Sequence, residues 1–277
     1  MDINATIIDN YARLRKSLFF MPLFLLIIII VFLYFNDALN VYGYTTIQKR
    51  SFFAINAYLG QYPILESNFT QFGDCLIGLS LLSVFVVYGP KLWEALLSAS
   101  FISAFFSILL KVIFAVPRPA AVFNPTSFLI TGKILLGHNS LPSGHSITIF
   151  TTLTVIMYAF MPQRVYYKIV WFLGLTWIGF MLALSRVALG AHYPLDVVSG
   201  CIIGYLSGLL GIFFSRELKI WNWVYNKRYY PIFILLFLVF SIVLLNRIIN
   251  DNLIIFYFTF ICLIIALYKI ITVYAKK

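Results

Sequence analysis

Long runs of apolar residues, separated by shorter polar stretches, dominate this chain. Several runs have the length that an α-helix needs to cross a bilayer, about 20 residues. We predict eight membrane-spanning helices, at about residues 17–35, 75–90, 95–116, 146–162, 168–187, 195–215, 231–246 and 253–272. The two shortest runs, 75–90 and 146–162, are at the lower limit for spanning, so six or seven spans are alternatives. The predicted fold is all-α, a polytopic transmembrane helix bundle.

Composition agrees with this fold class and excludes a soluble domain. Hydrophobic residues make up 62% of the 277 residues and charged residues 10%, whereas soluble domains carry about 25% charged residues. The net charge of +11 does not point to nucleic acid, because basic residues of membrane proteins set orientation and meet anionic lipid headgroups. We expect no nucleic-acid partner. Cys75, Cys201 and Cys262 lack metal-binding spacing, and we interpret them as packing residues.

The charges predict a topology. The first apolar run follows Arg13, Arg15 and Lys16 and lacks an Ala-x-Ala-like cleavage site, so we expect a retained signal anchor. With a cytoplasmic N-terminus and eight spans, most basic residues lie on the cytoplasmic side. The long segments 36–74 and 117–145 then face the exterior, and long loops tend to carry function. Within the first of them, aromatic and basic residues indicate either a helix in the membrane interface or an irregular loop.

A first block of candidate chemistry lies where the third predicted helix ends. Pro117 and Pro119 stop the helix on either side of Arg118, and Lys111 lies about two turns below. Ionisable side chains beside apolar spans are costly and mark candidate functional sites. Both cations can point into one cavity, or both can extend to lipid headgroups.

A second block, Ser143, Gly144 and His145, opens the next helix. A helix start offers free backbone N–H groups and the positive end of the dipole to an anion, and Gly144 permits close approach. Ser143 is also a common type of helix N-cap. His145 is either a polar residue facing water or an acid within reach of a bound phosphate ester.

A third block joins Arg186 to His192 and Asp196. Asp196 follows His192 by four positions, which is about one turn if the segment is helical. It is also the only acidic residue between Glu94 and Glu217. Such a carboxylate can be only a helix cap, but in this setting we favour a partner that orients the imidazole.

These blocks resemble the signature of the type-2 phosphatidic acid phosphatase family, which reads Lys-x6-Arg-Pro, then Pro-Ser-Gly-His, then Ser-Arg-x5-His-x3-Asp. Every fixed position is present: Lys111, Arg118, Pro119, Pro142, Ser143, Gly144, His145, Ser185, Arg186, His192 and Asp196. The resemblance implies a six-helix phosphatase core at 70–215, preceded by a membrane anchor and external segment at 1–69 and followed by a C-terminal helix pair at 216–277. Soluble acid phosphatases and vanadium haloperoxidases share these motifs, but the membrane spans argue against both.

The resemblance also implies a mechanism. His192 would be the nucleophile that forms a phosphohistidine, Asp196 would orient it, and His145 would act as acid and then as base. The implied phosphate-binding residues are Lys111, Arg118, Ser143, Gly144 and Arg186. No cofactor and no metal are implied, and one carboxylate beside several cations is a poor Mg²⁺ site.

The expected function is an integral membrane lipid phosphatase of a bacterial cytoplasmic (inner) membrane, with its site facing the periplasm or exterior. The family's substrates include undecaprenyl diphosphate, phosphatidylglycerol phosphate, phosphatidic acid and lipid A phosphates, which the residues do not rank. Lys133 and His138 hint at a substrate with more than one phosphate, although His138 can equally be a solvated loop residue. A lipid phosphotransferase with the same intermediate is one alternative, and a phosphate or phospholipid transporter is another. The oligomeric state is unknown from sequence.

Overall fold

The computed structural model describes residues 2–276, apart from the Lys219 side chain. Within this range the chain forms helices and no strand, which confirms the all-α fold class. The α-helices are α1 (Ile3–Ala12), α2 (Phe20–Phe35), α3 (Val41–Ile47), α4 (Lys49–Leu59), α5 (Pro63–Gln71), α6 (Cys75–Leu81), α7 (Phe85–Tyr88), α8 (Pro90–Phe114), α9 (Pro119–Val122), α10 (Gly144–Ala159), α11 (Val165–Ala188), α12 (Pro194–Glu217), α13 (Tyr230–Asp251) and α14 (Ile254–Ala275). Short 3-10 helices cover Lys16–Phe19, Pro125–Ser127, Lys219–Tyr225 and Lys227–Tyr229.

Six helical segments of the described range are long and apolar enough to cross a membrane. They are Lys16–Phe35, Pro90–Val122, Val165–Ala188, Pro194–Glu217, Lys227–Asp251 and Ile254–Ala275. Helix α10 is apolar but shorter. The protein is therefore an integral membrane protein, as its composition predicts.

Contacts between distant parts of the chain identify the two ends of the bundle. At one end, which we call the α1 end, the Asn10 side-chain amide donates to the Ala159 carbonyl at 2.9 Å. The other end carries His192, and we call it the His192 end. There Arg247 pairs with Asp74 at 2.7 Å. Helix α10 begins at the His192 end and finishes at the α1 end, so the bundle has two faces that correspond to the two sides of a membrane.

Residues 75–90 pass between these ends as two short helices, α6 and α7, so the prediction of one spanning helix there is wrong. At the break, the Leu82 carbonyl accepts a hydrogen bond from the Trp93 indole at 2.9 Å. The Ser83 hydroxyl donates to the Cys262 carbonyl at 3.3 Å. A broken helix at membrane depth is tolerated where neighbouring groups satisfy its backbone. Here the donor to the Leu82 carbonyl comes from α8, and the Ser83 side chain ties the break to α14. Hydropathy cannot anticipate either contact.

Helix α12 occupies the centre of the bundle and packs against α8 and α10. Its glycines permit unusually close approach: a Cβ at Gly204 would lie 2.3 Å from the Ile147 carbonyl oxygen, and one at Gly211 would lie 2.4 Å from the Ala99 Cβ. Stripes of small residues bring membrane helices together in this way. The close contact holds the start of α10 beside the start of α12, where the second and third sequence blocks lie.

The segment 36–74 is largely helical and packs onto the bundle. Every fourth residue from Tyr44 through Gln48 and Phe52 to Asn56 is buried. The Asn56 amide donates to two carbonyls at the C-terminal end of α11, at 3.2 and 2.9 Å. Residues 46–59 are therefore largely helical, so the irregular-loop alternative is wrong, whereas a position in the membrane interface stays a prediction. The segment covers the His192 end of the core.

Helices α13 and α14 pack against each other and against α6. The Trp93 ring contacts the rings of Phe233 and Phe237, with centroids 5.6 and 5.8 Å apart. Together with the Arg247–Asp74 pair, these contacts place the C-terminal helices over the broken segment. The division of the chain at 70 and 216 stays a prediction.

Candidate active site

A buried carboxylate, Asp196, lies at the centre of the site. It is the third residue of α12, and its Oδ2 accepts a hydrogen bond from the Tyr193 backbone N–H at 2.9 Å. The Ser140 hydroxyl donates to the same oxygen at 2.5 Å, and the Tyr44 hydroxyl donates to Oδ1 at 2.7 Å. The side chain of Asp196 therefore caps the start of α12 and also faces His192, so the two alternatives for it are not exclusive.

The His192 imidazole is 1% exposed and sits between opposite charges. Its Nδ1 lies 3.4 Å from Asp196 Oδ2 and 3.4 Å from the Ser140 hydroxyl, and its Nε2 lies 3.4 Å from Arg118 Nη1. His192 lies in the turn before α12, so His192 and Asp196 are not joined by a continuous helical turn. The extended backbone at Tyr193 brings the His192 ring to Asp196 instead.

Burial lowers the pKa of His192 well below its usual value, and the charges of Arg118, Arg186 and Lys111 lower it further. An uncharged imidazole is favoured because a fourth positive charge among these groups would be poorly solvated and repelled. With Nδ1 facing a carboxylate, the proton of the neutral ring is best placed on Nδ1. The lone pair then lies on Nε2, on the side of the cations.

The arginines are held inside the protein rather than extended to lipid. Arg118 Nε donates to Asn139 Oδ1 at 2.8 Å, and its Nη1 donates to the Ala191 carbonyl at 3.1 Å. Arg186 Nη1 donates to the Thr70 hydroxyl at 2.8 Å, whereas its buried Nε has no partner within residues 2–276. Each arginine keeps N–H groups that an anion can occupy.

Lys111 and the start of α10 face each other. A Cβ at Gly144 would lie 3.1 Å from Lys111 Nζ, so the glycine leaves room for the ammonium group. Ser143 is the N-cap of α10, and its hydroxyl accepts from the Ser146 hydroxyl at 2.9 Å. Its backbone N–H donates to the Asp196 carbonyl at 3.0 Å, which joins the second sequence block to the third.

His145 is partly buried and packs against the segment 36–74. A Cβ at Gly73 would lie 2.5 Å from His145 Cβ, so only glycine fits there. Burial lowers the pKa of His145 well below its usual value, and the positive charges of Arg186 and Lys111 lower it further. Within the described range its ring makes no hydrogen bond. The structure thus brings every site residue predicted from the sequence to the same end of the bundle.

A family model matches the part of the chain that carries most of this site. Residues 92–220 match the family model described as the PAP2 superfamily, and this range contains all three sequence blocks. Over these residues, just under half of the chain, the protein is similar to the PAP2 superfamily.

Individual relatives are similar to this chain over shorter stretches. The Bacitracin transport permease protein BcrC of Bacillus licheniformis is 37% identical over 102 residues, which are 35% of this chain and 45% of that protein. A lipid A 1-phosphatase of Rhizobium etli is 34% identical over 98 residues, 33% of this chain and 39% of that protein. The matches thus span less than half the length of these relatives. A crystal structure of Aquifex aeolicus LpxE is also similar, at 24% sequence identity and a TM-score of 0.49. The superposed part is 59% of this chain and 93% of the LpxE chain.

Three residues outside the PAP2 range complete the site, and the sequence reasoning missed them. Tyr44, Thr70 and Gly73 contact Asp196, Arg186 and His145, respectively. The repeat of buried residues at every fourth position from Tyr44 was a signal for a helix face packed on protein. No sequence signal named the residues that this face would contact.

Proposed function

We propose that this protein is a membrane lipid phosphatase that works through a phosphohistidine on His192. The observation that carries the proposal is a buried imidazole with the Asp196 carboxylate at Nδ1 and the Arg118 guanidinium beside Nε2. A ring in this arrangement can present its Nε2 lone pair to phosphorus while the carboxylate stabilises the positive charge that develops on the ring.

Five residues are proposed to hold the phosphate. A phosphoryl group in transfer carries charge on its equatorial oxygens, so fixed positive charge and N–H donors stabilise it. Arginine can bind two phosphate oxygens at once, and lysine supplies a point charge. The Ser143 hydroxyl accepts from Ser146 and keeps its own proton to donate. The set is Lys111, Arg118, Ser143, the Gly144 N–H and Arg186.

The reaction then has two steps. The negative charge of the bound substrate favours the protonated form of His145. In the first step, His192 Nε2 bonds to phosphorus, the bond from phosphorus to the lipid oxygen breaks, and protonated His145 gives its proton to that leaving oxygen. In the second, His145 takes a proton from water, the water oxygen bonds to phosphorus, and the bond to Nε2 breaks. Inorganic phosphate leaves, and both imidazoles return to their starting protonation states.

An apolar groove beside the site supports a lipid substrate. It has a volume of about 470 Å³ and lies between α2, α8 and α12, where its lining includes Leu33, Phe114 and Ile203. It reaches Tyr44, which binds Asp196, and Val116, two positions before Arg118. Hydrocarbon in this groove would leave a headgroup phosphate at the level of the cations.

A small cavity of about 180 Å³ beside Arg186 also bears on the substrate. Lys133 and Ala191 also line this cavity, and the Ala191 carbonyl accepts a hydrogen bond from Arg118. Two cations around one cavity favour an anion, which supports a substrate with a second phosphate. Undecaprenyl diphosphate, phosphatidylglycerol phosphate, phosphatidic acid and lipid A phosphates are the candidates to compare.

We further propose that catalysis needs no metal and that the protein resides in a bacterial cytoplasmic membrane with its site outside. Both Asp196 oxygens already accept hydrogen bonds, and the surrounding side chains are cationic, so the site lacks the free oxygen ligands that Mg²⁺ requires. The positive-inside rule supports the orientation.

The test is phosphate release by purified protein against a panel of the four lipid classes. We expect His192→Ala to abolish release because no other group can form the covalent intermediate, and we expect His138→Ala, in an exposed loop, to keep activity on a monophosphate substrate. Substantial activity of the His192 variant would reject the mechanism.

Labelled substrate separates the alternatives. A rapid quench should trap label on the wild-type protein in an acid-labile, alkali-stable form, as expected for phosphohistidine. Release of free phosphate without an acceptor identifies a hydrolase, whereas release only with an added lipid acceptor identifies a phosphotransferase. Uptake of intact substrate into vesicles without cleavage would identify a transporter.

A further inference from the structure

A basic pocket lies at the α1 end of the bundle, on the opposite face from His192. Its volume is about 560 Å³, and Arg13, Arg15 and Lys168 line it. The pocket is bounded by Asn10, whose side chain binds the Ala159 carbonyl at the C-terminal end of α10. It therefore opens at the membrane surface that does not carry the active site.

An apolar groove continues from this pocket along α2. The groove has a volume of about 310 Å³ and shares Met21, Phe172 and Tyr205 with the pocket. From these residues it extends to Phe150 and Cys201, which lie within the middle turns of α10 and α12. A headgroup-sized basic cavity is thus connected to a hydrocarbon-sized channel at membrane depth.

The charge of the pocket is uncompensated by protein. Arg13 donates to the neutral side-chain oxygen of Gln163. The ion pairs among residues 2–276 involve none of Arg13, Arg15 and Lys168, and no carboxylate lines the pocket. Clustered cations without a counter-ion attract an anion, and basic pockets between membrane helices bind anionic lipid headgroups.

The packing of α2 points to the same occupant. Its span is the least buried of the six, and only Pro22 and Leu33 of α2 are buried. Protein interiors are close-packed, so an apolar channel between α2 and its neighbours is best filled by another apolar chain. The hydroxyls of Tyr158 and Tyr205, which hydrogen-bond to each other, lie at the junction of pocket and groove and match the polar ester region of a phospholipid.

We propose that this pocket and groove bind one anionic phospholipid from the leaflet opposite the active site. The phosphate lies among Arg13, Arg15 and Lys168, and one acyl chain lies along α2. Bound there, the lipid joins α1 and α2 to α11 and α12. The proposal concerns a binding site and does not depend on the proposed catalytic function.

Native mass spectrometry of the purified full-length protein tests the site. Delipidated protein is titrated with phosphatidylglycerol and, separately, with phosphatidylcholine of the same acyl chains. We expect one tightly retained phosphatidylglycerol, with phosphatidylcholine at least 10-fold weaker. In the triple variant Arg13→Gln, Arg15→Gln, Lys168→Gln, affinity for phosphatidylglycerol should fall by about 10- to 100-fold, since each nearby cation contributes about tenfold or less.

A matched triple variant controls for net charge. Arg164→Gln, Lys227→Gln, Arg228→Gln removes three cations near the same end, and none of them lines the pocket. Its affinity for phosphatidylglycerol should stay within about twofold of the wild-type value, because charges outside the cavity are largely screened. An equal loss in both triples would reject a specific headgroup site.

A groove variant tests the acyl-chain part without altering charge. Thr176 lines the groove, and Thr176→Trp should fill it and weaken phosphatidylglycerol binding by about 10-fold. This variant also keeps the test valid if the basic triple fails to fold, which melting in detergent would reveal. Wild-type affinity in the folded Thr176 variant, equal retention of the two lipids, or equally tight binding of soluble glycerophosphate would each overturn the proposal.

Discussion

The hydroxyl of Tyr44 offers the most informative perturbation of the site. It donates to Asp196 Oδ1 at 2.7 Å, and within the described range this oxygen accepts no other hydrogen bond. Burial raises the pKa of Tyr44 well above its usual value, and the charge of Asp196 raises it further, so the hydroxyl stays a donor at any assay pH. Tyr44→Phe removes one oxygen atom and little else.

The size of the effect follows from these contacts. Asp196 is 0% exposed, so water cannot replace the lost donor without rearrangement. Hydrogen bonds to charged groups contribute about 1.5–3 kcal/mol, and we expect the free energy of unfolding to fall by about that amount. The unsatisfied carboxylate will also turn or take up a proton, and either change weakens its contact with His192 Nδ1. We expect kcat to fall about 10-fold, equivalent to about 1.4 kcal/mol, with KM little changed.

Tyr193→Phe is the matched control. The Tyr193 hydroxyl is buried near Tyr44, with ring centroids 6.4 Å apart, but it has no hydrogen-bond partner within residues 2–276. Its removal should leave kcat within about twofold of the wild-type value and should not lower stability. Phosphate release and thermal melting in the same detergent measure both quantities. If Tyr44→Phe matches Tyr193→Phe in both, Tyr44 does not position Asp196 and the reasoning is refuted.

Four further predictions concern packing, pH, metals and substrate. Gly204→Ala should lower the free energy of unfolding by about 1–3 kcal/mol because its Cβ would press on the Ile147 carbonyl, whereas Gly174→Ala, with open space around its Cβ, should be tolerated; melting curves compare them. Burial raises the pKa of Glu66 to about 7, so its contribution to stability is full below about pH 4.5 and is lost as pH rises through 7. Glu66→Gln should therefore be more stable than the wild type by about 1–2 kcal/mol at pH 8 but not at pH 4.5. Phosphate release should survive EDTA, and loss that a divalent cation restores would contradict a metal-free site. Lys133→Gln should raise KM for a lipid diphosphate about 5-fold and leave KM for a monophosphate unchanged; equal effects on both substrates would remove the second-phosphate assignment.

Local sequence rules were sufficient for much of the fold. Apolar runs of the required length predicted most of the spans, and proline placement predicted the end of α8 before Arg118. Ser143 was identified as a possible N-cap, and it is one. These features depend on interactions within a helix or across a single turn, so neighbouring residues in the sequence contain the information.

The two features that the sequence did not predict share one physical cause. The break between α6 and α7 depends on Trp93 and on a carbonyl of α14, and the completion of the site depends on Tyr44, which is 152 positions from Asp196. Hydropathy assigned these segments a depth in the membrane but could not say which helix faces would touch.

The sequence by itself determined the membrane class, most of the helices and the chemical set of two imidazoles, one carboxylate and three cations. Only the tertiary structure decided how these groups are arranged, because the close packing of glycine-lined α12 against α10 places Ser143 beside Asp196. The docking of α3–α5 supplies a hydrogen-bond donor to Asp196 and an acceptor for Arg186. The basic pocket at the α1 end is likewise a product of packing, since Arg15 and Lys168 come together only in the folded bundle. Helix formation is a local equilibrium, whereas the choice of helix faces is set by shape and by hydrogen bonds between distant residues.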